Sequence, residues 1–318
     1  MEQFGGVVLE DRSSKVSIDL AVVPVAGRGT RLLPLTKSQP KEMLPVGRKP
    51  VVQYVVEELA RCGMKRILFV TGPGKTAIEN HFDIDMELIN HLRETGKEEY
   101  LAQLSFERED VEYFYVRQRR QLGLGHAVLC ARRFVNKASF VVALGDSILG
   151  LNERSRVVEV MIERFTATAA AAVINFEEVP PEEIGEYGVA LPKQENAEVF
   201  ELLDIVEKPD PDRAPSNLAV AGRYVFSPVI FDALAETPPG KGGEIQLTDA
   251  IRRLIRDGRK VLGVRMPPGE RRYDIGHFES YFRAVVEFAL ADPQFGQKLR
   301  EYFGVTREIV PSACSKGQ

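Results

Sequence analysis

Three times in the first half of the chain, a short run of β-branched and apolar residues is followed by a longer amphipathic stretch. The runs are Leu20 to Val25 then Val51 to Cys62, Arg66 to Val70 then Thr76 to Phe82, and Phe140 to Leu144 then Val157 to Phe165. Parallel strands need long crossover connections, usually helical, so this alternation leaves few folds open. It predicts an α/β fold whose open, mostly parallel sheet carries helices on both faces. After Ala169 the pattern changes. Strand-like segments at Ala171 to Phe176, Tyr187 to Leu191, Val199 to Glu207 and Ala219 to Phe226 are separated by Pro-rich or acidic turns, which predicts antiparallel or mixed strands. The last helices read as Leu247 to Arg256, entered through Thr248 and Asp249, and Phe278 to Ala291, stopped by Pro293.

A chain of 318 residues with 44% hydrophobic content fills the core of one large domain or two modest ones. Its net charge of -4 gives no field to attract nucleic acid or an anionic membrane, so any bound anion must be held by a local site. No apolar run approaches the roughly 20 residues that span a bilayer, and the N-terminus lacks the basic-then-apolar pattern of an export signal. Cys62, Cys130 and Cys314 lie too far apart for a disulfide framework or a Cys-x-x-Cys metal site, which fits a reducing cytoplasm. Residues 1–16 and 311–318 read as disordered ends.

Directly after the first predicted strand comes Pro24-Val25-Ala26-Gly27-Arg28-Gly29-Thr30-Arg31, and ten residues beyond Arg31 stands Lys41-Glu42-Met43-Leu44-Pro45. In an open α/β sheet, ligands bind at the carboxyl ends of such strands. Gly27 and Gly29 let backbone N–H groups approach phosphate oxygens, while Arg31 and Lys41 supply charge. A dinucleotide fold would want an acidic residue at the end of the second strand, which instead ends Val70-Thr71-Gly72. A Walker loop would want glycine five positions before Gly74-Lys75-Thr76, where Phe69 stands. That stretch reads as a loop and a helix start.

The loop and the Lys-Glu-Met-Leu-Pro block resemble those of the bacterial UTP:glucose-1-phosphate uridylyltransferases. The resemblance runs from about Ile18 to about Phe303 and includes Gly123-Leu124-Gly125-His126-Ala127-Val128, Val206-Glu207-Lys208-Pro209, Pro215-Ser216-Asn217-Leu218-Ala219, Gly222-Arg223-Tyr224 and Gly243-Glu244-Ile245-Gln246-Leu247-Thr248-Asp249. It implies a Rossmann-like fold of the nucleotide-diphospho-sugar transferase type, with a smaller mixed β part for the sugar. The implied organisation is a catalytic domain over 17–292, split into a nucleotide half (about 17–150) and a sugar half (about 151–277). C-terminal helices over 278–310 would be an oligomer contact of a homodimer or homotetramer.

The implied reaction is attack of a sugar phosphate oxygen on the α-phosphorus of a nucleoside triphosphate, with pyrophosphate leaving. A phosphomonoester is already anionic near neutral pH, its second pKa being about 6, so no general base is required. Positioning and neutralisation of charge are. Accordingly there is no Ser-His-Asp or Cys-His signature, and the four histidines form no readable cluster. The resemblance assigns Arg31, Lys41 and Lys208 to the reacting phosphates, and Asp146 and Asp274 to Mg²⁺. Two hard carboxylates at strand ends suit that ion, which takes its other ligands from phosphate and water. Ala26, Gly27, Gly29, Thr30, Glu42, Gln118 and Gly123 would surround the nucleotide. Gly188, Glu207, Lys208 and Asn217 would face the sugar. His126 reads as a helix-packing residue.

Three positions depart from the family pattern. Leu122 stands where the family has lysine, Gly145 where it has proline, and Phe278 where it has a second lysine, with Arg271 and Arg272 able to restore charge nearby. Thymine differs from uracil by one methyl group, worth only about 1–3 kcal/mol of discrimination, so TTP is an alternative substrate. The rival of another class is a nucleotide-sugar sensor without turnover.

Overall fold

The computed structural model describes residues 18–108, 110–151 and 155–304; the predicted disordered ends lie outside the described residues. A nine-stranded sheet forms its centre. Strand β1 (Leu20–Pro24) is followed by a short hairpin, β2 (Pro45–Val46) and β3 (Lys49–Pro50), and by helix α1 (Val51–Arg61). The chain returns as β4 (Arg66–Thr71), parallel to β1. Helices α2 (Thr76–Phe82) and α3 (Met86–Glu94) lead to β5 (Glu112–Arg117), parallel to β4 at the sheet edge. Then α4 (Leu124–Cys130) and α5 (Arg132–Val135) carry the chain back across to β6 (Phe140–Ala143), parallel to β1 on its other side. The strand order β5-β4-β1-β6 therefore reverses at β1, and a reversal of this kind opens a crevice at the carboxyl ends of the strands.

The second half contributes β7 (Ser147–Leu149), α6 (Val157–Thr168), β8 (Ala172–Glu178), β9 (Gly188–Pro192), β10 (Val199–Glu207) and β11 (Leu218–Phe226). Helices α7 (Ile230–Ala235) and α8 (Leu247–Arg256), strands β12 (Val261–Arg265) and β13 (Arg272–Asp274), and helices α9 (Phe278–Ala291) and α10 (Gly296–Phe303) complete it. The sheet continues from β6 as β11-β8-β12-β10-β9, with β8 and β12 parallel and the other neighbours antiparallel, so this half is mixed as the sequence predicts. β7 and β13 pair separately, as a two-stranded antiparallel sheet beside the crevice.

Side-chain alternation explains the layers. Leu20 and Val22 of β1 join one core with α4, α7 and α8, whereas Ala21 and Val23 join the opposite core with α1 and α6. β11 lies between the two halves and is buried at every position, which its near-continuous apolar sequence allows. Each fully buried Val or Leu contributes about 1.5–3 kcal/mol relative to exposure. A third cluster, including Leu32, Leu44, Tyr54, Tyr273 and Phe288, fastens the segment after β1 to β13 and α9.

Some boundaries differ from the sequence reading. Helix α8 is capped by Gln246, which places Thr248 and Asp249 in its first turn, where an acidic side chain complements the helix dipole. Helix α6 runs on to Thr168 and stops at Ala169, which adopts a left-handed conformation. Strands β5 and β12 carry no strong periodic signal: β5 is a half-exposed edge strand that mixes Tyr, Phe and Val with Glu and Arg, and β12 is five residues long with a central glycine.

Candidate active site

The loop after β1 and the turn after β6 meet in the crevice. Beyond Val25, whose N–H donates to the Val70 carbonyl, the chain turns at Gly29 (φ 66), and a 3-10 turn follows over Thr30–Leu32. The Thr36 hydroxyl donates to the Gly29 carbonyl at 2.7 Å and holds the loop. A later 3-10 turn, Lys41–Met43, brings Lys41 under the loop, so that an added Cβ at Gly27 would lie 3.6 Å from its Cε. Lys41 Nζ donates to Asp146 Oδ2 across 105 positions of sequence. Burial opposes the Lys41 ammonium, yet the Asp146, Glu42 and Asp274 carboxylates around it outweigh burial and hold the amine above its ordinary range. The same contact holds the Asp146 carboxyl below its ordinary range, again against burial.

A cavity of about 630 Å³ opens over this contact. All seven residues expected at the nucleotide (Ala26, Gly27, Gly29, Thr30, Glu42, Gln118, Gly123) line it, together with Lys41 and Asp146. Gln118 Nε2 donates to the Gly123 carbonyl at 3.0 Å and lies 3.0 Å from His126 Nδ1, which leaves its Oε1 as an acceptor. His126 is thus more than a packing residue: it orients the Gln118 amide. Glu42 is buried and accepts a 2.7 Å hydrogen bond from Lys75, whose side chain is buried with it. The Gly74-Lys75-Thr76 stretch is indeed a loop and helix start, but it also supplies this buried cation.

The wall holds residues that the sequence reading passed over. Gln121 accepts from Arg28 Nε and donates to the Ala26 carbonyl at 2.7 Å, tying the two lips of the cavity together. Glu244 also lines the cavity, because the segment before α8 packs on the turn before α4. Gln121 is marked in the sequence by its place before the Gly123-Leu124-Gly125 turn, and Glu244 by the Gly243-to-Asp249 block that carries the resemblance.

The remaining predicted residues lie around the crevice without lining that cavity. Asp274 stands opposite Ser147 in the β7–β13 pairing, and the Ile275 N–H donates to the Asp146 carbonyl at 3.3 Å, so Asp274 at the end of β13 lies beside Asp146 in the turn before β7. An added Cβ at Gly276 would lie 2.8 Å from Arg31 Nη2 and 2.9 Å from Asp274 Oδ1, which puts the Arg31 guanidinium across Gly276 beside Asp274. Arg31 also pairs with Glu186 at 3.6 Å, and both side chains are exposed. Gly188 faces Glu207 across β9 and β10, against the Thr248 side chain. Lys208 follows β10 with φ 44, unusual for a residue with a Cβ; its N–H donates to the Tyr187 carbonyl at 2.9 Å, and its ammonium lies 3.8 Å from Glu207. Asn217 stands at the entrance to β11 with its side chain exposed and its carbonyl accepting from the Val179 N–H.

The two adjacent arginines have separate fates. Arg271 is a surface residue paired with Glu287 at 3.1 Å. Arg272 is buried: it donates to Glu177 at 2.5 Å and to Asp274 Oδ2 at 3.2 Å, and stacks 4.3 Å over the Tyr187 ring. Phe278, where the resemblance expects lysine, is half-buried and packs 5.6 Å from Phe282 on α9.

The donor set decides which metal the crevice suits. Among the described residues no group of three or more His, Cys, Asp and Glu side chains converges. Asp146 and Asp274 offer two carboxylates, each with lone pairs beyond those engaged by Lys41, Arg272 and the Gly276 N–H. That set fits a hard divalent cation completed by phosphate and water. Among the described residues no helix is long and apolar enough to cross a membrane.

The family model described as nucleotidyl transferase matches residues 20–289. The chain is 44% identical over 285 residues to UTP--glucose-1-phosphate uridylyltransferase 2 of Staphylococcus saprophyticus, covering 90% of this chain and 96% of that protein. It is 42% identical over 268 residues to the UTP--glucose-1-phosphate uridylyltransferase of Pseudomonas aeruginosa, covering 84% and 95%. Among solved structures, the UTP-bound UGPase of Acinetobacter baumannii superposes with a TM-score of 0.83 at 38% identity, over 92% of this chain and all of that one. A UDP-glucose pyrophosphorylase complexed with UDP-glucose gives 0.76 at 38% identity, over 85% and 97%.

Proposed function

The chain belongs to the nucleotidyl transferase family, and from that premise we propose that it transfers the uridylyl group of UTP to glucose 1-phosphate, giving UDP-glucose and pyrophosphate. The observation that carries the reading is the Lys41–Asp146 contact at the floor of a cavity lined by every residue expected at the nucleotide. A sensor would need only to bind; a half-buried lysine and two neighbouring aspartates beside the phosphate loop suit transfer of a nucleotidyl group between two anions, whose charge must be neutralised.

In this reading the backbone of Gly27 to Thr30 and the Arg31 guanidinium hold the triphosphate, and Lys41 neutralises the charge that builds on the α-phosphate. Gln118, with its Nε2 engaged, presents Oε1 to the single N–H of the uracil edge. Lys208 holds the phosphate of the sugar in line, while Glu207 and Gly188 take the sugar hydroxyls and Asn217 stands at the mouth. Asp146 and Asp274 would hold Mg²⁺, which when bound draws the phosphate oxygens together and offsets their charge. Arg272 keeps Asp274 and Tyr187 in register beside it.

Residues 17–150 serve the nucleotide and 151–277 the sugar, on one continuous sheet. α9 and α10 expose Phe282, Val286, Tyr302 and Phe303, an apolar surface suited to a homodimer or homotetramer contact. The free thiols Cys62 and Cys130 accord with a cytoplasmic setting.

The test is pyrophosphate release with Mg²⁺ across UTP, TTP, ATP, CTP and GTP, each paired with several hexose 1-phosphates, beside an Asp146→Ala control. Release with UTP and glucose 1-phosphate, lost in the control, is the expected result. Preference for TTP or another sugar would move the specificity to Leu122 and Phe278, and silence with intact nucleotide binding would favour the sensor.

A further inference from the structure

On the outer side of Gln118 lies a second cavity, of about 520 Å³, lined by Arg117, Arg119, Arg120, His126 and Cys130. A third, of about 600 Å³, shares Arg119 and Arg120 with it, adds Lys37, and opens onto the nucleotide cavity through Gly27, Arg28, Thr30 and Gln121, which line both. Neither lining contains a carboxylate, whereas the nucleotide cavity beside them has Glu42, Asp146 and Glu244. Among the described residues Arg117, Arg119 and Arg120 have no acidic partner within ion-pair distance, whereas Arg48, Arg132 and Arg253 elsewhere on the surface are paired. In a chain of net charge -4, three adjacent unpaired guanidinium groups in a concavity repel one another unless an anion joins them. Guanidinium forks match phosphate oxygens two at a time. Apart from these arginines the chain carries a net negative charge, which disfavours an extended polyanion and favours a small occupant.

The cavity also has a route to the substrate. His126 forms part of its wall, and His126 Nδ1 is the acceptor for Gln118 Nε2. An anion held beside the imidazole favours its doubly protonated form, which has no lone pair left to accept from the amide. Gln118 would then lose one of the two hydrogen bonds that set which of its atoms faces the base. Cys130 is the remaining titratable group at the ring, with Sγ 3.9 Å from Nδ1.

We propose that the cavity of Arg117, Arg119 and Arg120 is an effector site for a small molecule bearing several phosphoryl groups, and that its occupancy reaches the nucleotide pocket through His126 and Gln118. The site itself stands apart from the reading of the nucleotide cavity; only its effect on base recognition rests on it. Calorimetric titration of inorganic tripolyphosphate into the full chain, in metal-free buffer with UDP-glucose saturating the substrate pocket, tests it. One tripolyphosphate per chain is expected, weakened at least tenfold in Arg119→Ala/Arg120→Ala but not in a control, Arg61→Ala, at the far end of α1. The His126 ring proton signals should shift on binding in the parent and stay fixed in the double variant. Absence of stoichiometric binding, or equal weakening in the control, would overturn the site. Binding with an unmoved His126 would overturn the link to Gln118. A failure of UDP-glucose to bind in the preliminary titration would count against the proposed function and leave the anion site to be judged without it.

Discussion

Arg223 on β11 and Glu58 on α1 form a bidentate ion pair with essentially no exposure to solvent, Nη2 to Oε2 at 2.5 Å and Nε to Oε1 at 3.1 Å. The same Nη2 donates to the Ser147 carbonyl at 2.9 Å, one residue beyond Asp146. The pair therefore fixes the turn that presents the aspartate from beneath, and its strength depends on neither partner being left alone.

Removing one partner strands a buried charge, so Arg223→Met is expected to destabilise the fold by about 3–5 kcal/mol in urea denaturation. Glu58→Leu/Arg223→Met should recover much of that loss, because the second change removes the orphaned carboxylate. A double variant as unstable as the single one would mean that the Ser147 contact, rather than the ion pair, carries the stability.

Lys41 is expected to act mainly on the chemical step. Lys41→Ala should lower kcat by about 10²–10³, the usual loss when one preorganised donor is taken from a developing charge. Steady-state kinetics on both substrates would read this, and a fall of less than tenfold would remove Lys41 from the transition state.

Gly123 has φ 94, and an added Cβ would lie 2.7 Å from Glu244 Cβ and 2.8 Å from the Ile245 carbonyl that receives the Gly125 N–H. Gly123→Ala should shift the turn below Gln118 and cost about 1–3 kcal/mol of stability. Its kinetic mark is a raised KM for the nucleotide, with a smaller change in kcat. Unchanged KM and melting temperature would show that the turn has room the packing does not suggest.

Asp292 after α9 accepts from Arg48 through both oxygens and from the Gln294 and Phe295 N–H groups, and the Arg48 hydrogen bonds above all hold its carboxyl down to about 2. A depressed carboxylate stabilises the fold above its ordinary pKa, and the contribution is lost as pH falls through the folded value. The parent should therefore lose stability between about pH 4 and pH 2, and Asp292→Asn should show a shallower slope in that window alone. Thermal melts across pH 2–7 would check it; identical slopes would mean that the pair breaks before the carboxylate titrates.

The legible parts of the site were those whose chemistry is local. Gly27 and Gly29 read as a phosphate loop because the predicted strand ends just before them, whereas the metal role of Asp146 is implied only by the resemblance. Lys75 and Arg272 were hidden, since a lysine in a Gly-Lys-Thr turn and one of two adjacent arginines have solvated surfaces as their ordinary setting. What buries them is Glu42 in one case and Glu177 with Tyr187 in the other, far away in sequence.

By itself, the sequence determined the parallel half of the sheet, its mixed second half and the bounds of α1, α2, α6, α8 and α9 to within a few residues, because periodicity and turn chemistry are properties of short segments. The tertiary structure alone decided that Lys41 reaches Asp146, that Asp274 lies beside it through β7 and β13, and that His126 sets the Gln118 amide. Those contacts join segments brought together only when two cores close on opposite faces of one sheet. Which buried charge meets which is settled by desolvation, since an unpaired ion in such a place costs more than any local preference can offset.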